Sequence, residues 1–115
     1  KFIAILPLSR EKQDNSFDII PSERKMKKRV ELKITGRVQG VFFRQGLKEE
    51  AEKLGIAGWT RNEPDGSVVV VAEDREEELQ KLIKWCKKGT EYAKVDNVRV
   101  EWEKARGEFE RFTIL

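Results

Sequence analysis

The stretch GRVQGVFFR, Gly36 to Arg44, follows an alternating apolar run, opens a helical pattern and closes on an arginine. These residue types suit the holding of an anion. A helix start leaves backbone N–H groups without internal partners and carries partial positive charge, so a phosphoryl group is a natural guest. Gly36 and Gly40 can adopt positive φ, which lets the N–H groups of Gln39, Gly40, Val41, Phe42 and Phe43 turn into one concavity. Arg44, in the first helical turn, adds a planar fork that matches two phosphate oxygens. The same residues also suit a plain tight turn, with Val38, Val41 and Phe43 closing a core and both arginines solvated, and spacing alone favours the turn. GxxxxGK[ST] and GxGxxG are both absent, so the stretch is neither a Walker loop nor a dinucleotide fingerprint.

Little else in the chain offers chemistry. There is no His, which removes the commonest general base and a principal zinc ligand, so catalysis must run on Arg, Asn, Asp, Glu, Lys or backbone groups. The single Cys86 has Tyr92 six residues on, where a cysteine phosphatase needs arginine. It falls on the apolar side of a helical pattern and reads as a core thiol. No DxD pair is present for an aspartyl-phosphate mechanism, and Glu76, Glu77 and Glu78 read as a helix N-terminus rather than a metal site. Trp59, Trp85 and Trp102 read as packing residues.

Regular elements must position these groups. Val30, Leu32 and Ile34 alternate with Glu31, Lys33 and Thr35, a half-buried strand. Phe43, Leu47, Ala51 and Leu54 then recur at helical spacing, with Glu49 and Lys53 paired outside and Gly55 as the stop. IAGWTRNE and SVVVVAE flank a PDG turn and form a hairpin. Asp74 stands where an N-cap belongs, with Glu77 completing a capping box. Leu79, Leu82, Ile83 and Cys86 make an inner face, and Lys84, Lys87 and Lys88 precede Gly89. Val98, Val100 and Trp102 share one face of a fourth strand, and a short strand through Phe112 and Ile114 ends the chain. The order βαββαβ predicts an α+β, ferredoxin-like split βαβ sandwich: two helices on one face of an antiparallel sheet, plus the short extra C-terminal strand.

Composition bounds the setting. The 115 residues fit one domain, and 39% charged against 38% hydrophobic is a soluble, globular balance. No apolar run approaches the roughly 20 residues of a membrane span, and one Cys fits a reducing, cytoplasmic compartment. The net charge of +3 is uneven: residues 1–29 carry 8 Lys and Arg against 4 Asp and Glu, whereas 30–115 carry 16 against 17. The basic excess thus belongs to the first segment, and the body has no cationic field to steer nucleic acid. Residues 1–29 lack sustained periodicity and read as a leader, disordered or added in cloning; a signal peptide is disfavoured by the missing basic start and cleavage site. The domain proper is expected over 30–115.

GRVQGVFFR resembles the GxVQGVxFR signature of the acylphosphatases at every specified position. A second block, GWTRNEPDGSVVVVAE from Gly58 to Glu73, resembles that family's GWVxN to DGxV and Ala-Glu block, in the same order and separation. Asp74 departs from it, standing where the family often has glycine. The resemblance spans about Val30 to Leu115. It implies a small ferredoxin-like enzyme, without cofactor or metal, that hydrolyses acyl phosphates to a carboxylate and inorganic phosphate. It also implies that Arg44 binds phosphate with the loop amides and that Asn62 positions the attacking water. Arg37 falls on a variable position and is expected to be dispensable. The expected partners are a small-molecule acyl phosphate and inorganic phosphate as product and inhibitor, with no nucleic acid, no membrane and a monomeric state.

Two other classes remain open on the sequence. A single-strand RNA-binding module shares the element order, but its exposed-aromatic run is missing. An acylphosphatase-like part of a larger carbamoyl-transfer protein is the second; no Cys-rich zinc segment follows Leu115, so a stand-alone enzyme is expected.

Overall fold

The alternation that begins the domain becomes β1 (Lys27–Arg37), in which Val30, Leu32 and Ile34 are fully buried. The computed structural model describes residues 26–115. The expected leader therefore lies largely outside the described residues, and its last residues, Lys27 to Arg29, are already part of β1. The chain continues through α1 (Phe43–Leu54), β2 (Ala57–Asn62), β3 (Val68–Arg75), α2 (Glu76–Lys88), β4 (Lys94–Lys104) and β5 (Phe112–Ile114).

The strands lie in the order β4-β1-β3-β2-β5. β1 stands between β4 and β3, antiparallel to both, and sets Leu32 opposite Val70 and Val100. The four long strands are antiparallel as expected. The three-residue β5 joins the outer edge of β2 in parallel, so the sheet is mixed. Both helices lay one apolar stripe on it: Phe43, Leu47 and Ala51 from α1, and Leu79, Leu82, Ile83 and Cys86 from α2, all buried with the inward valines of β3. Burial raises the Cys86 thiol well above its ordinary range, which makes it an inert core residue. On β4, Val98 and Val100 pack against the core, while Trp102 stays 39% exposed.

Two local expectations are corrected. Asp74 is not the N-cap of α2. Lys27, Lys28 and Arg29 pair across with Arg75, Asp74 and Glu73, and this ladder draws Asp74 into β3. The N-cap is Arg75, extended at φ −65° and ψ 149° with no side-chain cap, so the helix start rests on Glu76, Glu77 and Glu78 against the dipole. Nor do Glu49 and Lys53 pair. Gln45 donates to Glu49, Lys53 reaches Glu50 at 3.5 Å, and the i,i+4 pair is Lys48 with Glu52 at 2.9 Å.

A buried ion pair closes the open face of the sheet. Arg29 Nη1 lies 3.0 Å from Glu73 Oε2, and the guanidinium also sits over the Phe109 ring. Glu73 accepts as well from the backbone N–H groups of Arg106 and Gly107. Burial alone would raise this carboxyl, but the Arg106, Arg29 and Gly107 hydrogen bonds outweigh it and hold it below its ordinary value. The clamp fixes the β4–β5 connection over the sheet and so delivers β5 to its edge.

Candidate active site

The loop between β1 and α1 is anchored by Val38, which is buried, and curls through two left-handed residues. Gly40 has φ +75°, and a Cβ built there meets nothing within 4 Å, so glycine serves the backbone angle rather than a close approach. Phe42 has φ +64° and ψ 22°, and it is the one non-glycine residue with positive φ among those described. Its carbonyl accepts the first helical hydrogen bond, from Gly46 N–H at 3.0 Å. Among the described residues, no hydrogen bond engages the backbone N–H groups of Gln39, Gly40, Val41, Phe42 or Phe43.

Val38, Gly40, Phe42, Phe43 and Arg44 line a cavity of about 280 Å³ from the loop and first turn, with Ile114 closing it from β5. Arg44 is half-buried on this wall and forms no ion pair among the described residues. Its fork is thus available to an anion. Arg37, by contrast, is exposed at the end of β1. Among the described residues, no group of three or more His, Cys, Asp or Glu is placed to hold a metal ion.

Asn62 ends β2, opposite Val68. Its Oδ1 is buried yet has no hydrogen-bond partner within the described protein. A buried amide oxygen left bare costs about 1–3 kcal/mol, so the group is poised for a donor from outside the chain. Asn62 does not line the cavity that Arg44 borders. What joins the two is the side chain of Gln39, whose Nε2 donates to the carbonyls of Glu63 at 2.8 Å and Ser67 at 2.9 Å.

That hairpin turn is itself rigid. Gly66 N–H donates to Glu63 O, Glu63 N–H donates to Ser67 O, and Asp65 Oδ1 accepts from both the backbone N–H and the hydroxyl of Ser67. The Ser67 bonds and the Lys33 ammonium hold the Asp65 carboxyl far below its ordinary range. On the other flank, the Thr90 hydroxyl donates to the Val41 carbonyl at 2.7 Å. The sequence pointed to Gln39 for its backbone and gave no sign of its side chain, of Thr90 or of Ile114. All three act through partners distant in sequence.

A family model described as acylphosphatase matches residues 30–114. The acylphosphatase of Rubrobacter xylanophilus is 49% identical over 80 residues, which cover 70% of this chain and 73% of that protein. The acylphosphatase of Pyrobaculum islandicum is 48% identical over 88 residues, covering 76% and 93%. Among solved structures, the acylphosphatase from Bacillus subtilis superposes with a TM-score of 0.74 at 35% identity, over 76% of this chain and 98% of its own. Two signature blocks, the fold and these likenesses agree, and the chain belongs to the acylphosphatase family, hydrolases acting on acyl phosphates.

Proposed function

We propose that the loop amides of Gln39 to Phe43 and the Arg44 fork hold the phosphoryl group of an acyl phosphate while Asn62 positions the water that attacks it. The observation that carries this reading is the pairing of donors unclaimed among the described residues: five loop N–H groups and a guanidinium without an ion-pair partner there, gathered at a helix start. Such donors favour a dianion in its ground state and the charge on its oxygens during transfer.

The reaction asks little more of the protein. The phosphoryl transition state is loose, so positioning and charge stabilisation count above covalent help. The water oxygen forms a bond to phosphorus as the bond from phosphorus to the acyl oxygen breaks, and the carboxylate leaves with that electron pair. One water proton passes to a phosphate oxygen of the substrate, giving inorganic phosphate without a protein base. The bare Oδ1 of Asn62 accepts a hydrogen bond from the water and its NH₂ group donates, which fixes the line of attack. Inorganic phosphate occupies the same cradle and inhibits competitively, and a monomer carries the whole site.

The test is hydrolysis of acetyl phosphate and carbamoyl phosphate in the presence of a chelator. Turnover of either, with competitive inhibition by phosphate, is expected. No turnover of either substrate would leave a phosphate-binding protein and reject the catalytic reading.

A further inference from the structure

We infer that Thr90 is a positioning residue for the anion loop: its hydroxyl fixes the peptide unit between Val41 and Phe42 in the orientation that offers the Phe42 N–H to a phosphoryl group. The inference rests on the cradle reading above.

The C=O and N–H of one trans peptide unit point in opposite directions. The Thr90 hydroxyl takes the Val41 carbonyl at 2.7 Å, so the Phe42 N–H of the same unit faces away from Thr90, where it has no partner among the described residues. Val41 is held by its buried side chain, and Phe42 by its carbonyl, which accepts from Gly46 N–H at 3.0 Å. Between these two fixed residues the peptide unit can turn over, because such a flip alters little besides ψ of Val41 and φ of Phe42.

The orientation in the fold is the strained one. Phe42 has φ +64°, a left-handed backbone that is unfavourable for any residue but glycine, and its 71% exposed ring returns nothing to the core for it. Turning the unit over brings Phe42 to negative φ and releases that strain. It also replaces the N–H by the Val41 carbonyl oxygen, which repels an anion. The Thr90 hydroxyl opposes the flip, since its acceptor would be lost.

Thr90 is itself well seated. It follows Gly89, the C-cap of α2, and its carbonyl accepts from Ala93 N–H at 3.1 Å. Its methyl faces α1 at Gly46, where an added Cβ would lie 3.2 Å from Thr90 Cγ2 and 2.9 Å from Trp85 Cζ2. Glycine inside a helix is unfavourable, and here it admits the end of α2 closely enough for the hydroxyl to reach the loop.

The test measures the inhibition constant of inorganic phosphate, with KM and kcat for acetyl phosphate, in the wild type, Thr90→Val and Thr90→Ser. Thr90→Val keeps the shape and loses the hydroxyl, so part of the free protein carries the flipped unit. An anion that binds one of two orientations loses affinity by the fraction that is competent, and turnover of the bound state is untouched. The inhibition constant and KM are expected to rise together by about fivefold, the worth of one hydrogen bond, with kcat unchanged. Thr90→Ser restores the hydroxyl and should bring both constants back to within about twofold of the wild type. Phe42→Gly added to Thr90→Val removes the strain that drives the flip and should recover about half of the lost phosphate affinity. Constants at the wild-type value in Thr90→Val overturn the inference, as does a loss confined to Thr90→Ser, which would assign the residue to packing through its methyl. A wild type that is neither inhibited by phosphate nor active on acetyl phosphate defeats the cradle reading and the role of Thr90 with it. Inhibition of the wild type that Thr90→Val leaves unmoved removes the role of Thr90 alone.

Discussion

The side-chain amide of Gln39 donates to the carbonyl oxygen of Glu63 across 2.8 Å, joining the anion loop to the turn that follows Asn62. Its second hydrogen bond, to Ser67, grips the other side of the same turn. One side chain thus sets the spacing between the proposed phosphate cradle and the proposed water position. Gln39→Ala keeps the loop backbone but loses two hydrogen bonds worth about 1 kcal/mol each. We expect kcat on acetyl phosphate to fall roughly tenfold or more while KM changes little, because the misplaced group is the asparagine and not the cradle. An equal loss in KM, read in the same steady-state series, would assign Gln39 to phosphate binding instead.

The two arginines of the loop separate by the same logic. Arg44 borders the cavity and Arg37 is exposed at the strand end. Arg44→Ala is expected to weaken inhibition by inorganic phosphate and to lower kcat by about 10²-fold to 10³-fold, the usual cost of a preorganised donor. Arg44→Lys restores the charge without the fork and recovers only part of the loss. Arg37→Ala should match the wild type in both measurements.

Asn62→Ala should behave differently from Arg44→Ala. The variant removes the bare, buried Oδ1 and with it the acceptor for water. Turnover is expected to drop by about 10²-fold to 10³-fold with the inhibition constant for phosphate near its wild-type value. Substantial activity in this variant would remove Asn62 from the chemical step.

Much of the fold was legible because its signals are local. Val30, Leu32 and Ile34 show their strand by alternation, and Leu79, Leu82, Ile83 and Cys86 show their helix by spacing, since each pattern is one face of one element. The Glu49 and Lys53 pairing was misread within one helix, where Gln45 and Glu50 take those side chains, but the rest of what was misread depends on partners far along the chain. Asp74 has the chemistry of an N-cap, but pairing with Lys28 extends β3 past it. The Gln39 and Thr90 hydrogen bonds span 24, 28 and 49 residues, and no window of sequence contains them. The loop was readable as a run of donors, yet the glycines did not reveal that Phe42 would share the left-handed backbone with Gly40.

The Arg29–Glu73 clamp gives the stability of the fold a defined acid limb. Glu73 is held below its ordinary value in the folded chain. In the unfolded chain it titrates near the usual ~4.3. The folded carboxyl thus resists a proton that the unfolded one accepts, so its contribution is in full above that pH and is lost as pH falls toward the lower folded value. Arg29 is raised instead, and its contribution is lost only in strong alkali, so the acid limb belongs to the carboxylate. Glu73→Gln removes the buried carboxylate from Arg29 and leaves it only the more exposed Glu103 and Glu108, and is expected to cost about 2 kcal/mol at neutral pH. Urea unfolding at pH 7 and pH 3 should show a smaller gap between variant and wild type at the lower pH. A gap that does not narrow would place the stabilisation outside the ion pair.

The left-handed backbone at Phe42 gives the fold a measurable local strain. Glycine accepts φ +64° freely, so Phe42→Gly releases the strain of the left-handed backbone, about 1–2 kcal/mol, and the ring it removes is 71% exposed. Glycine also makes the unfolded chain more flexible, which takes back roughly 0.5–1 kcal/mol. The net expectation is a variant more stable than the wild type by about 0.5–1 kcal/mol in urea unfolding. A loss of stability would mean that the ring, despite its exposure, is held by Tyr92 strongly enough to offset the backbone.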